Sequence, residues 1–563
     1  MDERAFRWRH LVFRSLDGYR RAWVARDLTA GVLIVAVAVP LSMGMAEVAG
    51  MPPVAGLYSC VLPLIAYALL GSSRQLVVAL DASTAAMLAA AVAPLAVGDP
   101  ARYAVLAAGL TLAVGGILIL AGLLRLGGVA EFLSEPVLLG YQAGLAVTVI
   151  VSQLPRLVGV AAGTGGTLGR VRQLVDLVPD ADGASLALTS GIAAITLLVV
   201  LVGRRWRPRI PTAVITVALA TLAVAVLHLD GRGVAVIGSV PQGYPPFSIP
   251  GLEWADARSL LGPAAAIALV AAADTLVSSR VFAARNGYEV SPNADLVGLG
   301  AANAASGVSG GITISASAAR TAVAESVGSR SQVAGVTAAV LMLLVLTTLT
   351  PLLRRVPQAA LGAVVVAAVL RLIEVGRLRR LLRIGRAEFA VAAAAVLGVI
   401  VFGVLQGVVI AMGLSLIDFV RRTSRPHDAI LGLVPGRTGY HDTLRNAEAS
   451  THPAILVYRF DAPLFYANAE RFRQRVRRLA RRHHVWLVVI DAAGIPDIDA
   501  SACTMLEELT RELGEAEIAL VLADVVGPVL DTLERAGALD VVGRDRVFDT
   551  IEGAVENASV RPG

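Results

Sequence analysis

Apolar residues dominate the chain from Asp27 to about Val420 in long blocks punctuated by Arg, Gly and Pro, and beyond Ala454 the pattern shortens and alternates. A helix that crosses a bilayer needs about 20 apolar residues and, with a short connection, uses roughly 30. The first region therefore predicts a bundle of about a dozen or more spans. Fourteen segments can be traced, beginning near Leu28, Val54, Leu76, Tyr103, Phe132, Ser185, Pro211, Leu260, Leu296, Ile314, Gln332, Pro357, Glu388 and Val404. After Ala454, β-branched runs at Ala454 to Phe460, Val485 to Asp491 and Ile518 to Ala523 alternate with amphipathic stretches near Ala469 to Arg482, Ser501 to Leu513 and Pro528 to Ala536. Such alternation predicts an α/β layered domain of about one hundred residues.

Composition sharpens this picture. The 563 residues are 56% hydrophobic and 16% charged, with a mean hydropathy of +0.71, whereas a soluble domain carries about 25% charged residues. An ordinary cytosolic enzyme is excluded, and the tail shows no Gly-rich phosphate loop or catalytic dyad. The 49 basic residues, all Arg, exceed 43 acidic ones for a net +6, which suits a membrane surface and not nucleic acid. Cys60 and Cys503 lie in different regions, so neither a disulfide framework nor a metal-ligand spacing is present.

Arg placement sets the orientation, because cytoplasmic loops retain positive charge. Arg4, Arg7, Arg9, Arg14, Arg20, Arg21 and Arg26 precede the first span. Alternate loops repeat the signal with Arg74, Arg125, Arg204 to Arg209, Arg280 and Arg285, Arg330, Arg377 to Arg386, and Arg421, Arg422 and Arg425. Both termini of a multi-pass protein of the cell membrane are thus expected in the cytoplasm. Arg156, Arg170, Arg354 and Arg355 fall on the opposite side, the first two in a long loop balanced by Asp176, Asp180 and Asp182. The first apolar segment is too long for a signal-peptide core and is expected to stay as an anchor.

Two stretches interrupt the apolar pattern with small hydroxylated residues: Ala79-Leu80-Asp81-Ala82-Ser83-Thr84 and the run from Gly310 to Thr321. They lie 234 positions apart, and the same offset carries Pro40 of the first span onto Asp274 of the eighth. Paired interrupted helices in corresponding halves point to a transporter binding site between inverted repeats. The alternative is a Gly/Ser/Thr packing face between helices.

At these residues the chain resembles the SulP sulfate-permease family of anion transporters, related to the solute-carrier anion exchangers. The matching stretches are V-P-L-S-M-G-M-A from Val39, G-M-P-P-V-A-G-L-Y ending at Tyr58, L-L-G-S-S-R ending at Arg74, N-A-D-L from Asn293 and S-A-S-A-A-R-T-A ending at Ala322. Farther on, Y-R-F-D-A-P-L-F-Y-A-N-A ending at Ala469 resembles the entry to that family's STAS domain. The resemblance implies a polytopic helical membrane protein with fourteen spans in two inverted groups of seven, a core domain sliding or rocking against a gate domain, homodimerisation, and an anion held between the third and tenth spans. The domains it implies are a cytoplasmic N-terminal segment (1–26), a transmembrane transport domain (27–422), a linker (423–448) and a cytoplasmic α/β STAS domain (449–563).

Half-helix N-termini present unpaired N–H groups and roughly half a positive charge each. Two such ends with Arg320 supply about +2 in formal terms, enough for a small anion and weak enough for release. The expected contacts are Asp81, Ala82, Ser83, Thr84, Ser317, Ala318, Ala319, Arg320 and Thr321, with Ser315 adding a hydroxyl. For at least half of the hydroxyls the alternative is helix back-bonding or packing. Arg320, which matches the family's site arginine, either attracts the anion or pairs with Asp274. The resemblance also makes Asp274 a coupling candidate. Relatives that use sodium carry a hydroxyl just before the arginine, where Ala318-Ala319 stands here, so the sequence disfavours sodium. Asp81, preceded by Ala79-Leu80 where relatives read Gly-Pro, either carries a proton in with the anion or N-caps the following helix. Glu47 is the other proton-carrier candidate, and Leu41 replaces the polar residue that proton-linked relatives place after the first-span proline. No cofactor or metal is expected.

In the tail, Asp499-Ala500-Ser501-Ala502 is similar to the phosphorylated turn of anti-sigma antagonists, with Ser501 at the modified position. A helix N-cap at Asp499 or Ser501 is the competing reading. The Arg-rich stretch from Arg471 to Arg482 either meets anionic lipid heads or is a solvated face. The leading expectation is a transporter of small inorganic anions, sulfate first. Bicarbonate or dicarboxylate transport, an anion channel, and a membrane-tethered regulator whose STAS domain binds a cytosolic protein are the alternatives.

Overall fold

A computed structural model describes residue 15 and residues 19–128, 135–160, 167–179, 181–206 and 211–559. Arg4, Arg7, Arg9, Arg14, the segment start at Phe132, Asp180, Arg207 and Arg209 lie outside the described residues. The chain divides into two units, Met1–Ser415 and Leu416–Gly563.

The first unit opens with α1 (Val24–Val48), followed by α2 (Pro53–Tyr58) and α3 (Leu62–Leu70), two pieces of one span broken ahead of Pro63. Next, β1 (Val78–Ala79) leads into α4 (Ala82–Ala96), and α5 (Pro100–Leu123), α6 (Glu135–Val158), α7 (Thr167–Leu177), α8 (Gly183–Trp206) and α9 (Thr212–Leu227) complete the first half. The second half repeats this order. It comprises α10 (Trp254–Asn286), α11 (Pro292–Val308), β2 (Ser315–Ala316) leading into α12 (Ala318–Ser326), α13 (Val333–Leu344) continued by α14 (Thr350–Leu353), α15 (Gln358–Val369), α16 (Val375–Ile384), α17 (Arg386–Phe402) and α18 (Val404–Ser424). With the surface helices α7 and α16 set aside, each half holds seven segments, so the fourteen expected spans are present. Eight stretches of described residues are long and apolar enough to cross unaided; the others are short or broken. The sequence reading of a long loop around Arg156 and Arg170 is corrected: Arg156 lies inside α6 and Arg170 inside α7.

Local chemistry sets the boundaries. Asp99 caps α5, its Oδ1 accepting from Ala101 N (2.8 Å) and Arg102 N (3.3 Å), with Pro100 occupying the first turn, where no N–H is needed. Pro351 cannot donate to Thr347 O, and the chain there winds as a π-helix over Val345–Leu349 while Gln242 Nε2 donates to the freed carbonyl. Small residues let helices approach: a Cβ at Gly115 of α5 would strike Gly300 O of α11, and one at Gly56 of α2 would strike Ser42 O of α1.

Packing sorts the spans into two groups. In one, α5 packs on α10 and α11, α3 on α11, and α1 on α13, α2 and α12; in the other, α6 packs on α15 and α17, and α8 on α9 and α15. A buried carboxylate organises the first group: Asp295 Oδ1 accepts from Tyr67 OH (3.0 Å), Ser72 N (2.8 Å), Ser72 Oγ (2.9 Å) and Ser73 N (3.1 Å).

The second unit contains a six-stranded sheet in the order β4-β3-β5-β6-β7-β8. Its strands are β3 (Asp428–Leu433), β4 (Tyr440–Asp442), β5 (Ile455–Phe460), β6 (Leu487–Asp491), β7 (Ala519–Ala523) and β8 (Val547–Phe548). Strands β5 to β8 run parallel, and β3 is antiparallel to β5 and β4. The strands expected after Ala454 appear as β5, β6 and β7; β3 and β4 come from the stretch read as a linker. Helices α19 (Ala469–His483), α20 (Ala500–Glu515), α21 (Gly527–Arg535) and α22 (Ala538–Val542) precede β8, and α23 (Ile551–Ser559) follows it. Alternate residues face opposite layers: Leu456, Tyr458 and Phe460 meet α19 and α20 residues, while Ile455 and Val457 share a cluster with Ile551 and Ala554 of α23.

Asp499 is the N-cap of α20, its Oδ1 accepting from Ala502 N (2.8 Å) and its Oδ2 from Tyr466 N (2.9 Å), and Ser501 is exposed. On α19, Arg473 pairs with Glu508 at 2.7 Å and Arg475 with Asp428 at 2.7 Å, so part of that basic helix is spent inside the domain.

Candidate functional site

The two interrupted stretches meet. β1 and β2 form an antiparallel pair with Val78 opposite Ala316 and Ala79 opposite Ser315. Ser317 N donates to Val77 O (2.9 Å), Val77 N to Thr321 Oγ1 (3.0 Å), and Ala316 N to Thr275 Oγ1 of α10 (3.2 Å). Asn303 of α11 holds Ile314 from both sides, its Nδ2 donating to the carbonyl at 3.1 Å and its Oδ1 accepting the amide at 3.0 Å. Ser59 Oγ accepts from Ile312 N (2.9 Å), and Ser306 Oγ donates to Ile312 O (2.7 Å). Backbone that leaves the helix at membrane depth is thereby supplied with protein partners.

A helix starts beyond each strand. Asp81 caps α4, its Oδ2 accepting from Ser83 N (3.1 Å) and Ser83 Oγ (2.8 Å). Ser317 caps α12, its hydroxyl accepting from Arg320 N at 3.5 Å. The ladder register puts Asp81 level with Thr313 and Ser317 level with Val77. Four strand positions thus separate the caps, about 13 Å along the strand direction, and an ion centred between them sits about 6 to 7 Å from each.

Ala318 and Ala319 are exposed, whereas Ser317, Arg320 and Thr321 around them are buried. As the first residues of α12, their amides have no preceding helical carbonyl to bond. The exposed face continues down α12 at Ala322 and Ser326, and down α10 from half-buried Asp274 through Val277, Val281 and Ala284. Both lead toward the end of the unit where Arg330 N bonds Asp27 Oδ1 (2.7 Å) and Arg330 Nη1 donates to Asn286 Oδ1 (3.4 Å). The start of α12 is therefore open toward the end where α1 begins.

Arg320 is 1% exposed. Its Nη2 donates to Ser42 Oγ of α1 (3.1 Å) and its Nη1 to Leu80 O (3.4 Å), while Nε has no hydrogen-bond acceptor. The guanidinium thus lies across the gap between the two helix starts. Among the described residues no ion pair joins it to Asp274, so that alternative for Arg320 does not describe this conformation. Arg320 and Asp81 place opposite formal charges beside the gap, and Asp81 also offsets the positive pole of α4. The pole of α12 carries a neutral cap.

Most of the expected hydroxyls are engaged within the protein. Thr321 Oγ1 accepts from Val77 N and donates to Ser317 O (2.8 Å); Thr84 Oγ1 reaches Asp81 O and Thr313 O, both at 3.2 Å; Ser83 bonds Asp81; and Ser315 Oγ lies 3.5 Å from Ala316 O. Ala82 is buried at the first turn of α4. Glu47 stands apart near the far end of α1, in an ion pair with Arg156 of α6. Sequence reasoning passed over Ser42 and Asn303, each a lone polar residue in an apolar run that reads as packing, and Thr275, which stands beside the more conspicuous Asp274. Only the bonds of Thr275 and Asn303 to the interrupted backbone, and of Ser42 to Arg320, reveal their part.

The Sulfate permease family signature matches residues 24–395 and the STAS domain signature residues 446–554. A probable sulfate transporter of Mycobacterium tuberculosis is 41% identical over 540 residues, covering 96% of either chain. Sulfate transporter 1.3 of Arabidopsis thaliana is 28% identical over 558 residues, covering 95% of this chain and 84% of its own. Among solved structures, the murine solute carrier 26 family member A9 anion transporter in its inward-facing state superposes with a TM-score of 0.89 at 21% identity, covering 98% of this chain and 94% of that one. The transmembrane domain of the cyanobacterial bicarbonate transporter BicA gives a TM-score of 0.61 at 22% identity, covering 70% and 98%.

Proposed function

The chain belongs to the sulfate permease family of anion transporters, and from that premise we propose that it is a secondary active transporter of small inorganic anions, sulfate first, that takes up a proton with its cargo. It is not an enzyme. The observation that carries this reading is the exposed start of α12 at Ala318 and Ala319, set against buried Arg320 at the crossing of β1 and β2. Backbone amides at a helix start and one guanidinium recognise a dianion by dipole and charge without enclosing it in cations, so it can leave again.

Asp81 supplies the coupling in this proposal. With its carboxylate charged, Arg320 is offset and a dianion meets only the helix poles; with that carboxylate neutralised by a proton, Arg320 faces the anion alone. Asp274, half-buried beside the same opening, and Glu47 are the other coupling candidates. The helix group holding α1, α5, α10 and α11 moves against the group holding α6, α8, α9 and α15 to expose the site at alternate ends. The protein works as a homodimer in the cell membrane with its STAS domain in the cytoplasm, where Ser501 or a bound regulatory protein adjusts activity.

The test is uptake of labelled sulfate into proteoliposomes, with bicarbonate and fumarate as competitors. Saturable uptake that Arg320→Ala abolishes is expected. Undiminished uptake in that variant, or sulfate uptake indistinguishable from protein-free vesicles while bicarbonate is carried, overturns the reading in its site or in its substrate.

A further inference from the structure

Two groups of spans can expose one site at alternate ends only if something holds them together at the end that is closed. At the end opposite the exposed face of α10 and α12, where α1 and α6 finish, an ion pair between side chains joins the two helices. Glu47 Oε2 of α1 lies 3.3 Å from Arg156 Nη1 of α6, with the side chains 7% and 23% exposed. Arg156 Nη1 also donates to Gln153 Oε1, one turn earlier on α6, at 3.2 Å, and Gln153 is buried. This fixes the guanidinium to its own helix, so the bond that must part when the groups separate is the one to Glu47.

The surroundings agree. A cavity of about 530 Å³ adjoins the pair and is lined by Glu47, Gly50, Met51, Asp99, Tyr103 and Arg156 among others. Tyr103 OH donates to Ala49 O (2.6 Å), tying α5 to the end of α1. Glu47 is therefore braced within the first helix group, and Arg156 within the second. Glu47 Oε2 makes no hydrogen bond of good geometry, so the link is chiefly a charge attraction, breakable without unpicking a bonded network. The site is open at one end while this pair closes the other.

We infer that Glu47 and Arg156 form an electrostatic latch that holds the two helix groups together at the end where α1 and α6 finish, and that it parts each time the site opens there. This rests on the transport reading given above and adds to it the residues that set which end is open. It also gives a place to Arg156, which lies inside α6 and not in the charge-balanced loop that the sequence suggested.

The experiment reads access and not transport, so it is independent of which anion is carried. In full-length protein with Cys60→Ala and Cys503→Ala, Ala318→Cys at the start of α12 is labelled by a membrane-impermeant maleimide added on the side where α1 and α6 end. Labelling is expected to be slow with the pair intact and about tenfold faster in Glu47→Gln or Arg156→Gln, the change that loss of a close charge pair produces. The exchange Glu47→Arg with Arg156→Glu is expected to return it toward the slow rate. Glu47→Asp, which keeps the charge on a shorter arm, provides a second measurement if a neutral variant fails to fold, and intermediate labelling is expected. Folded single variants that label no faster than the parent, or an exchange variant as fast as the singles, overturn the latch. Failure of sulfate uptake by the protein without these substitutions, with the labelling pattern intact, would instead count against the substrate.

Discussion

Replacing Asp81 by Asn separates two roles that one carboxylate holds. Asn caps a helix as well as Asp does, so the bond to Ser83 N and the start of α4 are retained while the charge is removed. A dianion about 6 to 7 Å from that charge would be repelled by about 5 kcal/mol at an effective dielectric near 20. Arg320, which reaches Leu80 O, exerts an opposite force of similar size, so the charged carboxylate cancels most of its attraction. If even a quarter of this survives in a wet cavity, the apparent affinity for sulfate rises about tenfold. Initial uptake rates are to be measured in proteoliposomes over a series of sulfate concentrations, with and without an imposed proton gradient. Asp81→Asn should lower KM, and its uptake should no longer respond to the gradient. Asp81→Ala serves as the control for the cap, costing about 1 kcal/mol of stability through the unsatisfied α4 amide. An Asn variant with the parental KM and the parental gradient response would refute both the charge argument and Asp81 as proton carrier.

Other perturbations test the scaffold. Asn303→Leu strips Ile314 of partners for both its N–H and its C=O, at about 1 to 3 kcal/mol for each unsatisfied buried group, and should lower the thermal unfolding temperature of the purified protein measurably. An unchanged temperature would mean that the β2 segment finds other partners. In the C-terminal unit, Asp499→Ala should destabilise the start of α20 by about 1 kcal/mol and speed amide hydrogen exchange in its first turn, whereas Ser501→Ala should leave that exchange alone. Equal effects from the two substitutions would reassign the cap.

Much of this architecture could be read in advance because a bilayer imposes a coarse and repetitive requirement on a sequence. The apolar blocks beginning at Leu28, Tyr103 and Leu260 became α1, α5 and α10, and the β-branched runs after Ala454 became central strands. The pairing of the two interrupted stretches was also legible, since small hydroxylated residues recur at one spacing in both halves. Side-chain partners were not. Thr321 and Thr84 looked like ligand donors, and the structure engages their hydroxyls on strand and cap backbone, because unwound chain in a dry environment competes for the same donors a ligand would use. Ser42 was hidden for the opposite reason: one hydroxyl in an apolar helix gives no periodic signal, and its place beside Arg320 follows only from how α1 crosses the β1–β2 pair. β3 and β4 went unread because one short apolar run, Ala429 to Leu433, and a three-residue polar strand set among turns resemble a connector.

The β1–β2 pair has a consequence for how the protein is made. β1 emerges from the ribosome long before β2, so its peptide groups must enter the membrane without the neighbour that completes them. Until the later half is inserted in the opposite sense, the early half holds an unfinished polar seam that needs water, lipid headgroups or the insertion machinery as temporary company. Final assembly is thus a late step, and a truncated product ending before β2 would be left with that seam open to cellular quality control.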